Sequence, residues 1–308
     1  VFGIVAIIFM KWLSNQGYLL IVITAIAWSG NTIIGRGVVD IIPPIGLSFW
    51  RWVAVFPIFL VIAWPHLRKD LPLVKKHWKI VVVLALLSIS IYNTLIYQGL
   101  TMTTAINSFL INTSRPVIIV LFSLIIFREK ITFMMGAGLV LAFLGTGVII
   151  VRGDLNVLQT LQLNTGDIWI FVATIAFALY TVLYPKRPDV HPASLLTACV
   201  LLGLMFLTPF FIWETITVGY VPLRIETFGG VAYLAIISTA VAYMAYNQAV
   251  ENIGANKAGL VSYLLPIFGS ILATLILDEI FQVFHGVGFA LIIGGVLVAA
   301  RAKTRQSP

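Results

Sequence analysis

A block of this chain occurs twice at one fixed offset. Moving residues 98–148 forward by 150 positions superposes Gln98 on Gln248, Ala105 on Ala255, Pro116 on Pro266, Glu129 on Glu279, Gly136 on Gly286, Gly138 on Gly288 and Gly145 on Gly295 without a gap. Apolar matches come cheaply in a chain that is 60% hydrophobic, but Gln, Pro, Glu and three Gly in register do not. A weaker match at offset 149 pairs Gly17 with Gly166, Ala27 with Ala176, Pro43 with Pro192 and Trp64 with Trp213. The chain therefore reads as two copies of one unit of roughly 150 residues, an arrangement common among secondary transporters.

With 10% charged residues and a mean hydropathy of +1.06, a water-soluble domain would expose large apolar patches. The expected solvent is a bilayer. Apolar runs of about 20 residues predict spans at 17–34, 44–64, 78–98, 104–127, 131–151, 167–184, 192–213, 227–249, 255–277 and 282–300. The expected fold is thus all-α and integral to the membrane, with about ten transmembrane helices, five per copy, around a central cavity. An odd number of crossings per copy requires the second to be inverted relative to the first. Loop charges agree with both termini inside: Lys11, the run Arg68, Lys69, Lys75, Lys76 and Lys79, then Arg128, Lys130, Lys186, Arg187, Lys257 and Arg301 fall on inner segments. Only Arg36, Arg152 and Arg224 fall on outer connections. The formal charge of +8 is thereby explained by topology. A nucleic-acid partner is disfavoured, because these charges sit in short membrane-flanking loops.

The expected domain order is an N-terminal stub at 1–16, a first five-helix repeat at 17–151, a connecting loop at 152–166, a second, inverted repeat at 167–301 and a basic cytoplasmic tail at 302–308. Val1 to Met10 are apolar but too short to span and lack a basic lead, so a cleaved signal peptide is not expected. No oligomeric state follows from the sequence.

Polar groups within a membrane are costly and should face the bundle interior. In the first helix Thr24, Trp28 and Asn31 share one face; in the third, Ser90, Asn93, Tyr97 and Thr101 do so, with Tyr92 alongside. The fourth offers Ser108, Asn112 and Arg115. The sixth offers Thr174, Phe177, Tyr180 and Tyr184, the eighth Thr239, Tyr243 and Tyr246, and the ninth Ser262, Tyr263 and Ser270. An aromatic, amide-rich cavity between the copies would satisfy them together, with Trp28, Asn31, Tyr92, Asn93, Tyr97, Asn112, Arg115, Tyr180, Tyr243, Tyr246, Ser262 and Tyr263 as candidate substrate-binding residues. Trp64, Trp78, Trp213 and Tyr184 fit an interfacial belt equally well. Arg51 stands about 10 Å from the start of its helix, within snorkelling reach of the outer face. Arg115 lies about 16 Å from either end of its span and should face a polar interior. It could bind a substrate carboxylate or bond carbonyls freed by Pro116.

Pro116 and Pro266 each remove a backbone donor mid-helix, as hinges or as structural kinks. Gly138 with Ala142, and Gly286 with Ala290 and Gly294, form small-residue seams suited to close helix packing. None of the eleven Asp and Glu falls mid-span, Glu129 and Glu279 standing at the ends of the fourth and ninth helices, so no intramembrane proton or sodium relay is evident. The four His lack metal-ligand spacing, and the single Cys199 offers neither a disulfide nor a metal site. No metal and no cofactor are expected.

The blocks Ala249-Val250-Glu251-Asn252-Ile253-Gly254-Ala255, Leu264-Leu265-Pro266-Ile267 and Leu277-Asp278-Glu279, together with Ser114-Arg115-Pro116 and Phe127-Arg128-Glu129-Lys130, resemble the twin EamA repeats of the drug/metabolite transporter superfamily. Within it the chain is similar to the YddG-type amino-acid exporters of bacterial inner membranes. The resemblance implies ten helices in inverted five-helix repeats, a cavity built by the first, third, fourth, sixth, eighth and ninth helices, and export of bulky, often aromatic, amino acids. The expected function is facilitated, alternating-access export of such solutes across a bacterial inner membrane, the partners being a small-molecule substrate and the lipid bilayer. An exporter of nucleobases, sugars or drugs is the nearest alternative. An intramembrane enzyme would need a nucleophile and base, or a metal cluster, at membrane depth, and none is visible in the sequence.

Overall fold

The computed structural model describes residues 15–38, 41–103, 105–128, 132–150, 165–222, 224–277 and 282–301. The expected stub, the connecting loop, the tail, Glu129 and Glu279 lie outside these, save for Asn15, Gln16 and the residues from Thr165 on. The described residues are helical, with no strand among them. Helices are the economical solution for so apolar a chain, because they satisfy every interior backbone N–H and C=O within the segment. Six are long and apolar enough to cross a membrane: Gly17–Val38, Pro44–Lys76, Trp78–Leu100, Thr165–Lys186, Pro192–Thr217 and Thr227–Ile253. Arg115–Phe127, Phe133–Val148 and Gly286–Arg301 are shorter and apolar.

In chain order α1 is Gly17–Val38 and α2 is Pro44–Lys76; α3 (Trp78–Ala85) runs through a π-helical segment, π1 (Leu86–Tyr92), into α4 (Asn93–Leu100). Then follow α5 (Ala105–Asn112), α6 (Arg115–Phe127), α7 (Phe133–Ile150), α8 (Thr165–Leu183) and α9 (Pro192–Thr217). A second interrupted helix is α10 (Ile225–Ala235), π2 (Ile236–Val241) and α11 (Ala242–Ile253), before α12 (Ala255–Ala258), α13 (Val261–Leu277) and α14 (Val283–Arg301). The two π segments begin at Leu86 and Ile236, the offset of the sequence repeat. Each widens one turn of its helix and leaves carbonyls available to side chains.

Three details depart from the sequence expectation. The second helix does not stop at Trp64 but continues to Lys76 with Pro57, Pro65 and Pro72 inside it; proline is tolerated within membrane helices where neighbouring groups take up the freed carbonyls. Pro116 is not mid-helix: the chain turns at Thr113 and Ser114, and Pro116 opens α6 in the first turn, where its missing N–H breaks no helical bond. Pro266 does lie inside its helix, α13, whereas the interruption of that stretch falls earlier, at Gly259 and Leu260.

The described residues divide between two compact units. The first comprises those within Val1–Gly30, Thr113–Gln162 and Ala245–Pro308, the second those within Asn31–Asn112 and Leu163–Met244. Each unit thus draws on both sequence repeats.

In the first unit α7 and α14 pack through glycine. A Cβ on Gly138 would stand 2.5 Å from Ala299 N and 2.6 Å from Gly295 O, and one on Gly145 would stand 2.8 Å from Gly288 O. These pairs are exchanged by the repeat: 138 and 295 become 288 and 145. The seam on α14 is therefore Gly288, Gly295 and Ala299. The expected series Gly286, Ala290, Gly294 is not it, since a Cβ on Gly286 meets nothing within 4 Å and one on Gly294 only Leu141 at 3.7 Å. The Gly138, Ala142, Gly145 row selects its partner by backbone approach, which a choice of small residues alone does not specify.

In the second unit α2 and α9 cap one another. The first-turn N–H groups of Ile45 and Gly46 donate to Glu214 Oε1 and Oε2 at 2.9 and 2.6 Å, a carboxylate placed where the helix dipole favours it. At the other end the N–H of His191, which caps α9, donates to Asp70 Oδ2 at 3.1 Å. The His191 ring accepts from Ala193 N and stacks on His66 with centroids 4.1 Å apart. Burial and His66 hold the His191 imidazole below its ordinary value, with Asp70 opposing.

Two outcomes follow from this packing. Gly138→Ala or Gly295→Ala should lower the thermal stability of detergent-purified protein by about 1–3 kcal/mol through overpacking, while Gly286→Ala leaves it unchanged. Because the native state disfavours a charged His191, the unfolded chain binds the extra proton, and stability falls as pH drops through the ordinary histidine value of 6.5. His191→Asn, which keeps a capping side chain, should flatten that fall in melting curves recorded across the same pH range.

Candidate functional site

A densely bonded polar group in the second unit is one the sequence reading assigned to the outer surface. Arg51 does not snorkel. Its α2 face carries Ser48, Arg51, Trp52, Val55, Phe59 and Ala63, all buried, whereas Trp50 beside it is exposed. Arg51 is only 1% exposed. The i, i+3, i+4, i+7 spacing of those residues was the available signal, and distance to the helix end overrode it.

Around this guanidinium, elements from both sequence repeats converge. Nη1 donates to Asn93 Oδ1 at 2.8 Å, to the Tyr97 hydroxyl at 2.6 Å and to Asn31 Oδ1 at 3.2 Å. Nε donates to Thr239 Oγ1, and Nη2 to the backbone oxygen of Ser238 at 3.3 Å. The rings of Trp52 and Tyr97 lie 5.4 and 5.9 Å from Cζ. Tyr97 in turn donates to Asn31 Oδ1 at 3.1 Å.

The two π segments supply the acceptors that a regular helix would have consumed internally. Ser88 O in π1 accepts from Asn93 Nδ2 at 2.9 Å and from the Tyr243 hydroxyl at 3.1 Å. Ser238 O in π2, its counterpart at offset 150, accepts from Arg51. Asn93 Nδ2 also donates to the Tyr243 hydroxyl at 3.0 Å, and Asn93 and Tyr243 are themselves counterparts at that offset. Each repeat therefore contributes the same position to this contact.

An aromatic run adjoins this network. Tyr92 packs on Phe177 at 4.4 Å, Phe177 on Tyr180 at 5.3 Å, and Tyr180 on Tyr184 at 5.7 Å. Tyr243 meets Phe177 and Trp52 edge-on at 6.0 and 5.5 Å. Tyr184 is buried, whereas Trp64, Trp78 and Trp213 are exposed. Asn112 lies apart from Arg51 in the same unit, donating to Ser108 O at 2.8 Å and accepting from Thr174 at 3.4 Å.

The remaining candidates fall in the first unit. Trp28 packs on Tyr246 at 5.0 Å, and the fully buried Arg115 places Cζ 5.9 Å from the Trp28 ring. The neighbouring Ser29 donates to Leu265 O at 3.0 Å. Ser262 Oγ and the Tyr263 hydroxyl are buried with no hydrogen-bond partner among the described residues. The sequence candidates thus separate into Asn31, Tyr92, Asn93, Tyr97, Asn112, Tyr180 and Tyr243 in one unit, and Trp28, Arg115, Tyr246, Ser262 and Tyr263 in the other. Sequence reasoning missed Arg51, Trp52 and the backbone oxygens of Ser88 and Ser238.

Helices of this apolarity carrying a buried, side-chain-built polar network define a polytopic membrane protein. The model of the EamA-like transporter family matches twice, over residues 15–151 and 164–301, and the chain belongs to that family, with two EamA repeats. It is 29% identical over 297 residues to an uncharacterized transporter of Archaeoglobus fulgidus, covering 96% of this chain and all of that one. It is also 29% identical over 220 residues to the uncharacterized transporter YyaM of Bacillus subtilis, covering 71% and 72% of the two chains. A solved crystal structure matches with a TM-score of 0.72 at 17% identity, over 92% of this chain and 96% of the other, a likeness of fold.

The hydrogen bonds rank two substitutions. Tyr97→Phe removes one of three acceptors around Arg51 Nη1, whereas Asn93→Leu removes another and also strips partners from Ser88 O and Tyr243. Loss of stability in denaturation of the purified protein should be about 1 kcal/mol for the first and about 3 kcal/mol for the second.

Proposed function

We propose that this chain is a secondary transporter exporting bulky neutral or aromatic amino acids, and similar small amphipathic metabolites, across the cytoplasmic membrane by alternating access. Membership of the EamA-like transporter family supports transport. The observation that carries the substrate class is the junction of two chemistries in one unit: the amide and hydroxyl groups of Asn31, Asn93, Tyr97 and Tyr243, and the aromatic surface of Tyr92, Phe177 and Tyr180. A zwitterionic head group needs the first and a bulky apolar side chain the second.

In this reading ten spanning helices form two inverted five-helix repeats around a central cavity, with both termini cytoplasmic in a bacterial inner membrane. The Asn93 to Tyr243 contact supports a two-fold relation between the repeats, and the loop charges support the orientation. The matched π segments are where the third and eighth helices bend most cheaply, because their widened turns hold fewer regular backbone bonds. The break at Thr113 and Ser114 beside Pro116, and Pro266 within α13, serve as secondary hinges. Export is facilitated and runs down the solute's own gradient, a reading supported by the buried acids among the described residues: Asp70 and Glu214 hold backbone N–H groups at helix starts, and Asp167 accepts from the Thr103 hydroxyl.

Proteoliposome counterflow tests this directly. Labelled phenylalanine or tryptophan should exchange without any proton or sodium gradient, and an ionophore should leave initial rates within about twofold. Transport of nucleobases or sugars but of no amino acid, or uptake that requires a proton gradient, would overturn the substrate or the coupling. Since Cys199 is the only cysteine and is buried, single cysteines at Lys75 and Lys186 should label from the cytoplasmic side, and one at Val221 only from outside. Labelling of 75 and 186 from opposite sides would sink the inverted topology.

A further inference from the structure

The geometry points to Arg51 as the docking point for the carboxylate of the transported solute, an inference that rests on the transport reading above. The sequence alone offers Arg115 for that role, or as a partner for carbonyls freed by Pro116. Every group that Arg51 meets among the described residues is neutral: two amide oxygens, two hydroxyls, one backbone oxygen and two aromatic rings. A full positive charge is therefore held away from water, at 1% exposure, by dipoles only. A buried arginine without a counter-ion is costly, and among the described residues no carboxylate bonds to it. The missing counter-charge is one a solute can bring.

The guanidinium also has donor capacity in reserve. Its two N–H groups on Nη2 share one long contact, 3.3 Å to Ser238 O, and the Asn31 contact on Nη1 is nearly as long at 3.2 Å. These adjacent nitrogens form the edge that carboxylates bind in bidentate fashion. An incoming carboxylate would take one N–H of Nη2 in place of Ser238 O and one of the two Nη1 N–H groups that three acceptors now share, giving two charge-assisted bonds. The other Nη1 N–H, and Nε on Thr239 Oγ1, would still hold the fork in place. Release of Ser238 O would free the π2 turn, linking occupancy to the helix that carries Tyr243. The charge is also unique within the duplication: at offset 149, where Pro43 matches Pro192, position 51 corresponds to Val200, so the site is asymmetric, as a single carboxylate requires.

Four probes separate the carboxylate from the rest of the solute: phenylalanine, phenylpyruvate, phenylalanine amide and phenethylamine. Equilibrium binding to wild-type protein in detergent should favour the two carboxylates over the two compounds lacking one by about tenfold or more, the factor one strong charge-assisted contact confers. Arg51→Gln should abolish that preference, and so should Asn93→Asp, which places a resident carboxylate on the guanidinium. Equal wild-type affinity for acid and amide, no wild-type binding of either carboxylate, or a folded variant of either kind that keeps the full preference would each overturn the inference. If Arg51→Gln does not fold, the wild-type comparison and Asn93→Asp decide. Binding of phenylpyruvate without phenylalanine would remove the amino-acid reading and leave this site standing; binding of phenylalanine without carboxylate preference would do the reverse.

Discussion

A guanidinium shut away from water must find acceptors for its five N–H groups, and in the second unit the surrounding structure is arranged to provide them. Arg51 draws Asn31 from α1, Asn93 and Tyr97 from α4, and Ser238 and Thr239 from π2. A regular helix keeps its carbonyls for itself; π2 releases Ser238 O to the charge, and π1 releases Ser88 O to Asn93 and Tyr243. Bonds within such a network reinforce one another, so the cost of removing an acceptor depends on how many partners it serves.

Duplication gives the backbone its symmetry, and substitution then breaks it where chemistry is needed. The glycine pairs 138 with 295 and 145 with 288 are interchanged by the repeat, and so are the starts of the two π segments. Side chains at equivalent places differ: Asn93 against Tyr243, Arg51 against Val200, Asn112 against Ser262. Backbone packing tolerates little change because a Cβ at 2.5 Å from a neighbouring nitrogen has nowhere to go. Polar side chains at the centre are freer to diverge, provided each new group finds a partner.

Helix ends follow the same logic of satisfaction. Proline at the start of α2 supplies no capping side chain, and Glu214 from α9 binds the first-turn N–H groups instead. Asp70 from α2 returns the service at His191. The two acids sit just beyond the spans predicted from hydropathy, and each faces the positive end of a neighbouring helix.

By itself the sequence determined that this chain is helical, lives in a bilayer and is built twice, because hydropathy, charge asymmetry and a gapless 150-residue offset are properties of the string of residues. It also placed Asn93, Tyr97 and Tyr243 among the polar groups turned inward, since helical periodicity alone gives a face. Only the tertiary structure decided what each face meets. Arg51 looked like a surface residue by its distance from the helix end, yet its partners come from residues up to 188 positions away. Gly286 and Gly294 looked like a seam, yet Gly288 and Gly295 make it. Periodicity assumes an unbroken helix and a known neighbour; π turns, the break at Thr113 and Ser114, and the approach of one backbone to another set both, and those depend on contacts remote in sequence.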